Sequence, residues 1–215
     1  MVSQNSDRAI FFIDGSNWYH SLRGIGLDDV GRLSYLRICE KLAGQRTWIA
    51  TRYYIADVGV MGSPKLLGDQ TRFLSQLQAQ DSRITAHMGR IEPRTTENEA
   101  AKELIRYLSG LKIRIPIQVY KDLVALGHRH ARAKIFVEKA VDVQIAVDMV
   151  SMATRDEYDS AYLLSADGDF TPAVETVRAI GKKVFAASPG PCKRLSLSAN
   201  SYIRLKPAWF DSCFR

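Results

Sequence analysis

Short apolar runs alternate along the chain with segments whose apolar side chains recur every three to four positions. Runs at 9–13, 48–56 (WIATRYYIA), 83–89 (RITAHMG), 134–138 (KIFVE), 161–165 (AYLLS) and 183–187 (KVFAA) predict strands. The spacing at 34–43, 70–79, 141–153 and 172–180 predicts helices, with Phe73, Leu74 and Leu77 marking the inner face of the second. Strands alternating with helices predict a layered α/β fold around a mainly parallel sheet. In 141–153, Val143, Ala146, Val147 and Val150 form an apolar stripe that Ile145 and Met149 widen, so this helix is expected to bury much of its circumference.

From about 90 to 134 the rhythm breaks. The segment is long, basic and poorly periodic, and ends in HRHARAK at 128–134. It reads as an insertion or elaborated connection within a single domain spanning 1–215. The formal charge of the chain is +7 and its pI is near 9.4, a balance that favours a polyanionic partner. Arg129, Arg132 and Lys134 are the residues expected to contact nucleic acid, RNA before any other.

No apolar run approaches the ~18 residues that a membrane span needs, and the N-terminal MVSQNSDR lacks the apolar stretch of a signal peptide. A cytoplasmic protein without a membrane partner is the expectation, and a homodimer is left open. Cys39, Cys192 and Cys213 are widely spaced and odd in number, which argues against a zinc site or a disulfide framework.

The candidate chemistry lies in acidic residues at strand ends. Asp14 closes the first run, in FFIDGSN, and is followed at once by Gly15, Ser16 and Asn17. It can cap the next helix or hold a ligand, and the choice depends on whether other carboxylates reach the same place. In LLSADGDFTPAVETVRAIGKKV (163–184), Asp167 and Asp169 flank Gly168 beyond a strand ending near Ser165. Thr171 suits the N-cap of the following helix and Pro172 its first position, so neither aspartate is expected to be needed for capping.

Two carboxylates around one glycine repel each other unless a cation sits between them. Mg²⁺ and Mn²⁺ suit such oxygen donors. In KAVDVQIAVDMV, Asp142 falls in the first helical turn. Asp148, six residues on, lies about 120° round the helix at ~100° per residue. Asp142 is therefore the preferred ligand, and Asp148 has a supporting place or a structural pairing with a base. Lys139 can neutralise a carboxylate or a phosphate, and Ser165 can hydrogen-bond phosphate or water.

Ligands in open α/β sheets gather beyond strand ends where the winding reverses. Carboxylates from the three segments can therefore converge there, at a cost of several kcal/mol without a counter-ion. On this reading Asp14 is a metal ligand.

The three motifs, IDGSN (13–17), KAVDVQIAVDM (139–149) and LLSADGDFTPAVETVRAIGKKV (163–184), resemble in order those of the NYN domain family, a branch of the PIN-like ribonuclease fold. The resemblance runs from about residue 8 to 205. One departure is Ala166, where the family usually has Gly; Ala suits most turns but not a positive φ. The resemblance implies a Rossmann-like three-layer α/β/α fold and an acidic pocket for Mg²⁺ or Mn²⁺, in which Asp14, Asp142, Asp167 and Asp169 match the acidic positions and Asn17 the polar one. It implies a metal-dependent ribonuclease. The alternatives are an RNA-binding or regulatory module that keeps the fold without strong activity, and a phosphatase-type enzyme. The last would want Asp-x-Asp at the first strand, where position 16 is Ser.

Overall fold

In a computed structural model, residues 7–112 and 114–215 are described, without the side chains of Ala133 and Lys134. The elements in order are β1 (Arg8–Asp14), α1 (Gly15–Gly24), α2 (Tyr35–Ala43), β2 (Thr47–Ala56), α3 (Pro64–Gln78), β3 (Ile84–Glu97), α4 (Glu99–Ser109) and α5 (Ile117–His130). There follow β4 (Arg132–Lys139), α6 (Val141–Thr154), β5 (Ser160–Leu164), α7 (Thr171–Ala179), β6 (Lys183–Ser188), α8 (Lys193–Ser198) and β7 (Ser201–Arg204). The chain divides into two compact units, residues 1–90 with 138–215, and residues 91–137.

The strands form a seven-stranded sheet in the order β4-β3-β2-β1-β5-β6-β7. The pairings of β1 with β2 and β5, of β2 with β3, and of β6 with β5 and β7 are all parallel. From β1 the chain winds outward through β2 and β3, then returns to lay β5 on the other side of β1. The winding therefore reverses between β1 and β5, where an open parallel sheet leaves a crevice at its carboxyl edge.

The two strands that flank this crevice are the most buried. β1 is buried from Ala9 to Asp14 and β5 throughout, as their continuous apolar runs require. The core around them includes Phe11, Ile13, Trp18, Tyr35, Ile38, Tyr162 and Phe210. Phe11 stacks on Tyr162 at 4.6 Å, and Trp18 packs on Phe210 at 6.1 Å. Cys39 and Cys213 are buried thiols. Among the described residues no helix is long and apolar enough to cross a membrane.

The structure departs from the expected pattern at four points. On α6 the buried residues are Val141, Ile145, Met149, Met152 and Ala153, whereas Val143 and Val147 of the expected stripe are exposed at 67% and 57%. The helix is apolar on both sides, so periodicity could not choose the inner face. The segment read as poorly periodic contains α4 and α5. Asn98 starts the first by accepting from the Ala101 N–H at 3.2 Å, and Gly127 lies against Ile105, where a Cβ would approach to 2.7 Å. The expected strand at 83–89 continues to Glu97, and β7, a four-residue strand, has no counterpart among the predicted runs.

Candidate active site

β1 and β5 each deliver an acidic residue to the crevice, and local chemistry explains how. Asp14 is the last residue of β1 and the N-cap of α1. Its Oδ1 accepts from the Asn17 N–H at 3.1 Å and its Oδ2 from the Ser165 hydroxyl at 3.0 Å. The turn into α1 must pass close to β2: a Cβ on Gly15 would lie 2.5 Å from the Tyr54 carbonyl oxygen, so only glycine fits.

Ser165 joins the two strand exits, since its Oγ also accepts from the Asp167 N–H at 3.0 Å. Asn17 makes a second tie, its Oδ1 accepting from the Ala166 N–H at 2.9 Å. Ala166 is not among the described residues of positive φ, so alanine serves there without strain. Asn17 and Ser165 are thus positioning residues for Asp14 and for the turn at 166–169.

The start of α7 differs from expectation. Asp167 caps a short 3₁₀ turn, Gly168–Phe170, by accepting from the Asp169 N–H at 2.8 Å. Thr171 is already helical, and its hydroxyl donates to the Gly168 carbonyl at 2.7 Å. Capping is therefore part of the work of Asp167, and Thr171 does not replace it.

A cavity of about 490 Å³ opens at these strand ends, lined by Asp14, Ser16, Asn17, His20, Glu138, Lys139, Asp142 and Asp167 among others. The structure so brings together Asp14, Asp142 and Asp167 with Asn17 and Lys139. Asp169 lines a neighbouring cavity on the far side of its turn, yet its charge still acts on Asp142. Ser165 is buried behind Asp14. Asp148 stands away from the cavity: its Oδ2 accepts from Arg52 Nη2 at 3.1 Å and from the Tyr54 hydroxyl at 2.8 Å. Arg129 and Arg132 are at the end of α5 and the start of β4 in the second unit. The side chain of Lys134 lies outside the described residues.

Two titratable lining residues, Glu138 and His20, escaped the sequence reading. Glu138 sits near the end of β4 as Asp14 ends β1, so an acid closing the run KIFVE was a signal of the same kind. His20 shares a face of α1 with Ser16 and Asn17 through the i, i+3 and i+4 spacing. The chain enters α6 through Ala140 at φ 71°, a left-handed conformation for a residue with a Cβ. Such strain is of order 1–3 kcal/mol and gathers at functional sites.

The acids raise one another. Burial, reinforced by the charges of Asp142 and Glu138, pushes Asp14 up to about 6 against the pull of its two hydrogen bonds. Glu138 is raised by desolvation and by Asp142, and Asp142 by desolvation and then by Asp167 and Asp169. No group of three acidic, histidine or cysteine side chains among the described residues closes to the spacing of a metal centre. The donor set is nonetheless all oxygen, convergent and short of positive charge, which is the chemistry a hard divalent cation suits. By the chemistry of their donors, the carboxylates of this cavity suit such an ion.

The NYN domain profile matches residues 8–206. No curated protein matches the chain. Among solved structures, a protein of unknown function from Vibrio parahaemolyticus is similar over 100% of both chains, at 16% identity and a TM-score of 0.62. That likeness extends to the fold.

Proposed function

Because the chain belongs to the NYN domain family, whose PIN-like fold is typically that of a ribonuclease, we propose that it is a metal-dependent endoribonuclease hydrolysing RNA phosphodiester bonds in the acidic cavity. The observation that carries this reading is Asp14, a carboxylate 3% exposed at the sheet's switch point, with other acids around it and no cation bonded to it among the described residues. A protein that only needed a helix cap there would not gather Glu138, Asp142 and Asp167 around the same cavity.

Asp14, Asp142 and Asp167 would hold Mg²⁺ or Mn²⁺, with Asp169 adding charge from beyond the turn. The ion, when bound, supplies activation of water and stabilisation of phosphate charge. The chain's own residues do the rest. Ser165 and Asn17 fix Asp14, so the ligand geometry is set before substrate arrives. Glu138 is the carboxylate left to accept a proton from the attacking water. Lys139, without an anionic partner among the described residues, meets the phosphate's charge at the rim. Water adds to phosphorus, a P–O ester bond of the RNA breaks, and the leaving oxygen takes a proton, for which His20 stands at the cavity edge.

The test is incubation of a mixed RNA pool with Mn²⁺, Mg²⁺ or EDTA, beside Asp14→Asn. Cleavage that needs the metal and disappears in the variant is the expected result. The absence of a closed three-residue cluster among the described residues favours a second reading, an RNA-binding module of weak activity. Retention of RNA without cleavage under any of these ions would select it.

A further inference from the structure

The turn Asp167–Gly168–Asp169 is a wall shared by two cavities. On one side lies the acidic cavity with Lys139; on the other is a cavity of about 470 Å³ lined by Asp169, Pro172, Glu175, Arg194 and Leu197 among others. That volume is in the range of small-molecule sites.

Arg194 is held over the turn by its stem. A Cβ on Gly168 would lie 3.0 Å from Arg194 Cδ and 3.5 Å from its Cβ, so the glycine between the two aspartates is also the seat of this side chain. Several arginines of this unit are committed elsewhere: Arg8 to Asp159 at 2.9 Å, Arg46 to Asp7 at 3.1 Å, Arg52 to Asp148 at 3.1 Å and Arg83 to Asp81 at 2.7 Å. Arg194 has no such carboxylate partner among the described residues, although acids share its cavity. Part of the cavity wall beside it is apolar. Leu197 is 75% exposed, and Pro172 presents its ring at the first turn of α7.

We propose that this second cavity is a nucleotide subsite, in which Arg194 grips the phosphate next to the scissile one while Leu197 and Pro172 receive the face of an unstacked base or ribose. The guanidinium matches a phosphate's oxygens, and an apolar platform beside a cation is how single strands are held without sequence choice. The strand then crosses the 167–169 turn with cations on both sides, Lys139 before it and Arg194 after it, which offsets the repulsion of the acids beneath. A duplex, its bases stacked inside, could not use the apolar wall, so the ligand class is single-stranded RNA. The inference rests on the ribonuclease reading only for the identity of that ligand.

The experiment is anisotropy of a labelled single-stranded oligoribonucleotide in EDTA, across a salt series, for the intact chain, Arg194→Ala, Arg194→Lys and Leu197→Ser, each checked by thermal unfolding. Arg194→Ala should weaken binding several-fold and reduce the salt slope by ~0.7, the value for one neutralised phosphate on a single strand. Arg194→Lys should restore the slope, and Leu197→Ser should weaken binding with the slope unchanged. In Mn²⁺, Arg194→Ala should raise KM with kcat little altered. Unchanged affinity and slope in folded Arg194→Ala would overturn the subsite, even if the intact chain cleaves RNA. Arg194-dependent binding without cleavage under any ion would uphold the subsite and remove the nuclease reading. An intact chain that neither binds nor cleaves would overturn both.

Discussion

Asp14 and Asp148 are the same residue type in opposite circumstances. Asp148 meets a guanidinium and a phenol, Arg52 at 3.1 Å and Tyr54 at 2.8 Å, and Tyr54 in turn stacks on His87 at 5.0 Å. Its charge is answered within the protein. Asp14 is more deeply buried, takes only neutral donors, and is surrounded by other acids. The fold stabilises Asp148 and tolerates Asp14. A carboxylate kept buried without a counter-charge is where a cation from outside has work to do, and a carboxylate already paired is not.

The sharpest way to break this contrast is Asp14→Asn. Metal-dependent RNA cleavage should fall on the order of 100-fold or more, while the melting temperature at neutral pH rises by a few degrees because an unanswered charge has been removed. Full activity in a folded variant would leave the contrast without functional meaning. Asp148→Asn should behave in the reverse way. It leaves Arg52 beside a neutral group in a partly buried cluster, and should cost about 1–3 kcal/mol in denaturant unfolding with cleavage reduced only a few-fold. A stable but inactive Asp148 variant would show that the cluster serves the reaction.

The pH dependence sharpens the same point. The folded state holds the Asp14 proton more tightly than the ordinary carboxylate value of 3.8, up to about 6. Its contribution to stability is therefore complete below about pH 4 and lost as the pH rises through about 6, and the raised Glu138 and Asp142 act in the same direction. In EDTA, the melting temperature of the intact chain should fall over that interval relative to Asp14→Asn. A constant difference between the two curves would mean that Asp14 is not raised.

Smaller effects are expected further from the charge itself. Asn17→Ala removes the acceptor for the Ala166 N–H and should cost about 1 kcal/mol, with a loss of cleavage of roughly tenfold through misplacement of the turn. Equal losses of activity and stability there would make the tie merely structural. Arg129→Glu with Arg132→Glu, both on the surface, should change stability by no more than about 0.5 kcal/mol while reducing the salt slope of RNA binding by ~0.7 for each phosphate no longer neutralised. Unaltered binding would assign the affinity to the acidic cavity and its rim.

The sequence alone determined the central strands and the acids at their exits. Continuous runs such as AIFFI and AYLL have one low-energy fate, burial on both faces, and an acid can only follow where such a run leaves the core. Asp14 and the 167–169 pair were therefore legible, as was the alternation that makes the sheet parallel. Local pattern could not decide which side of α6 faces inward, because Val143 and Val147 repeat as regularly as Ile145 and Met149 and only the neighbouring strands distinguish them. Nor could it show that Asp167 caps its own turn, that Arg52 and Tyr54 on β2 take Asp148, or that Glu138 and His20 line the cavity with Asp14. Most of those facts join residues tens of positions apart, and their energies arise from desolvation and charge at short range, which exist only once the sheet has brought the segments together.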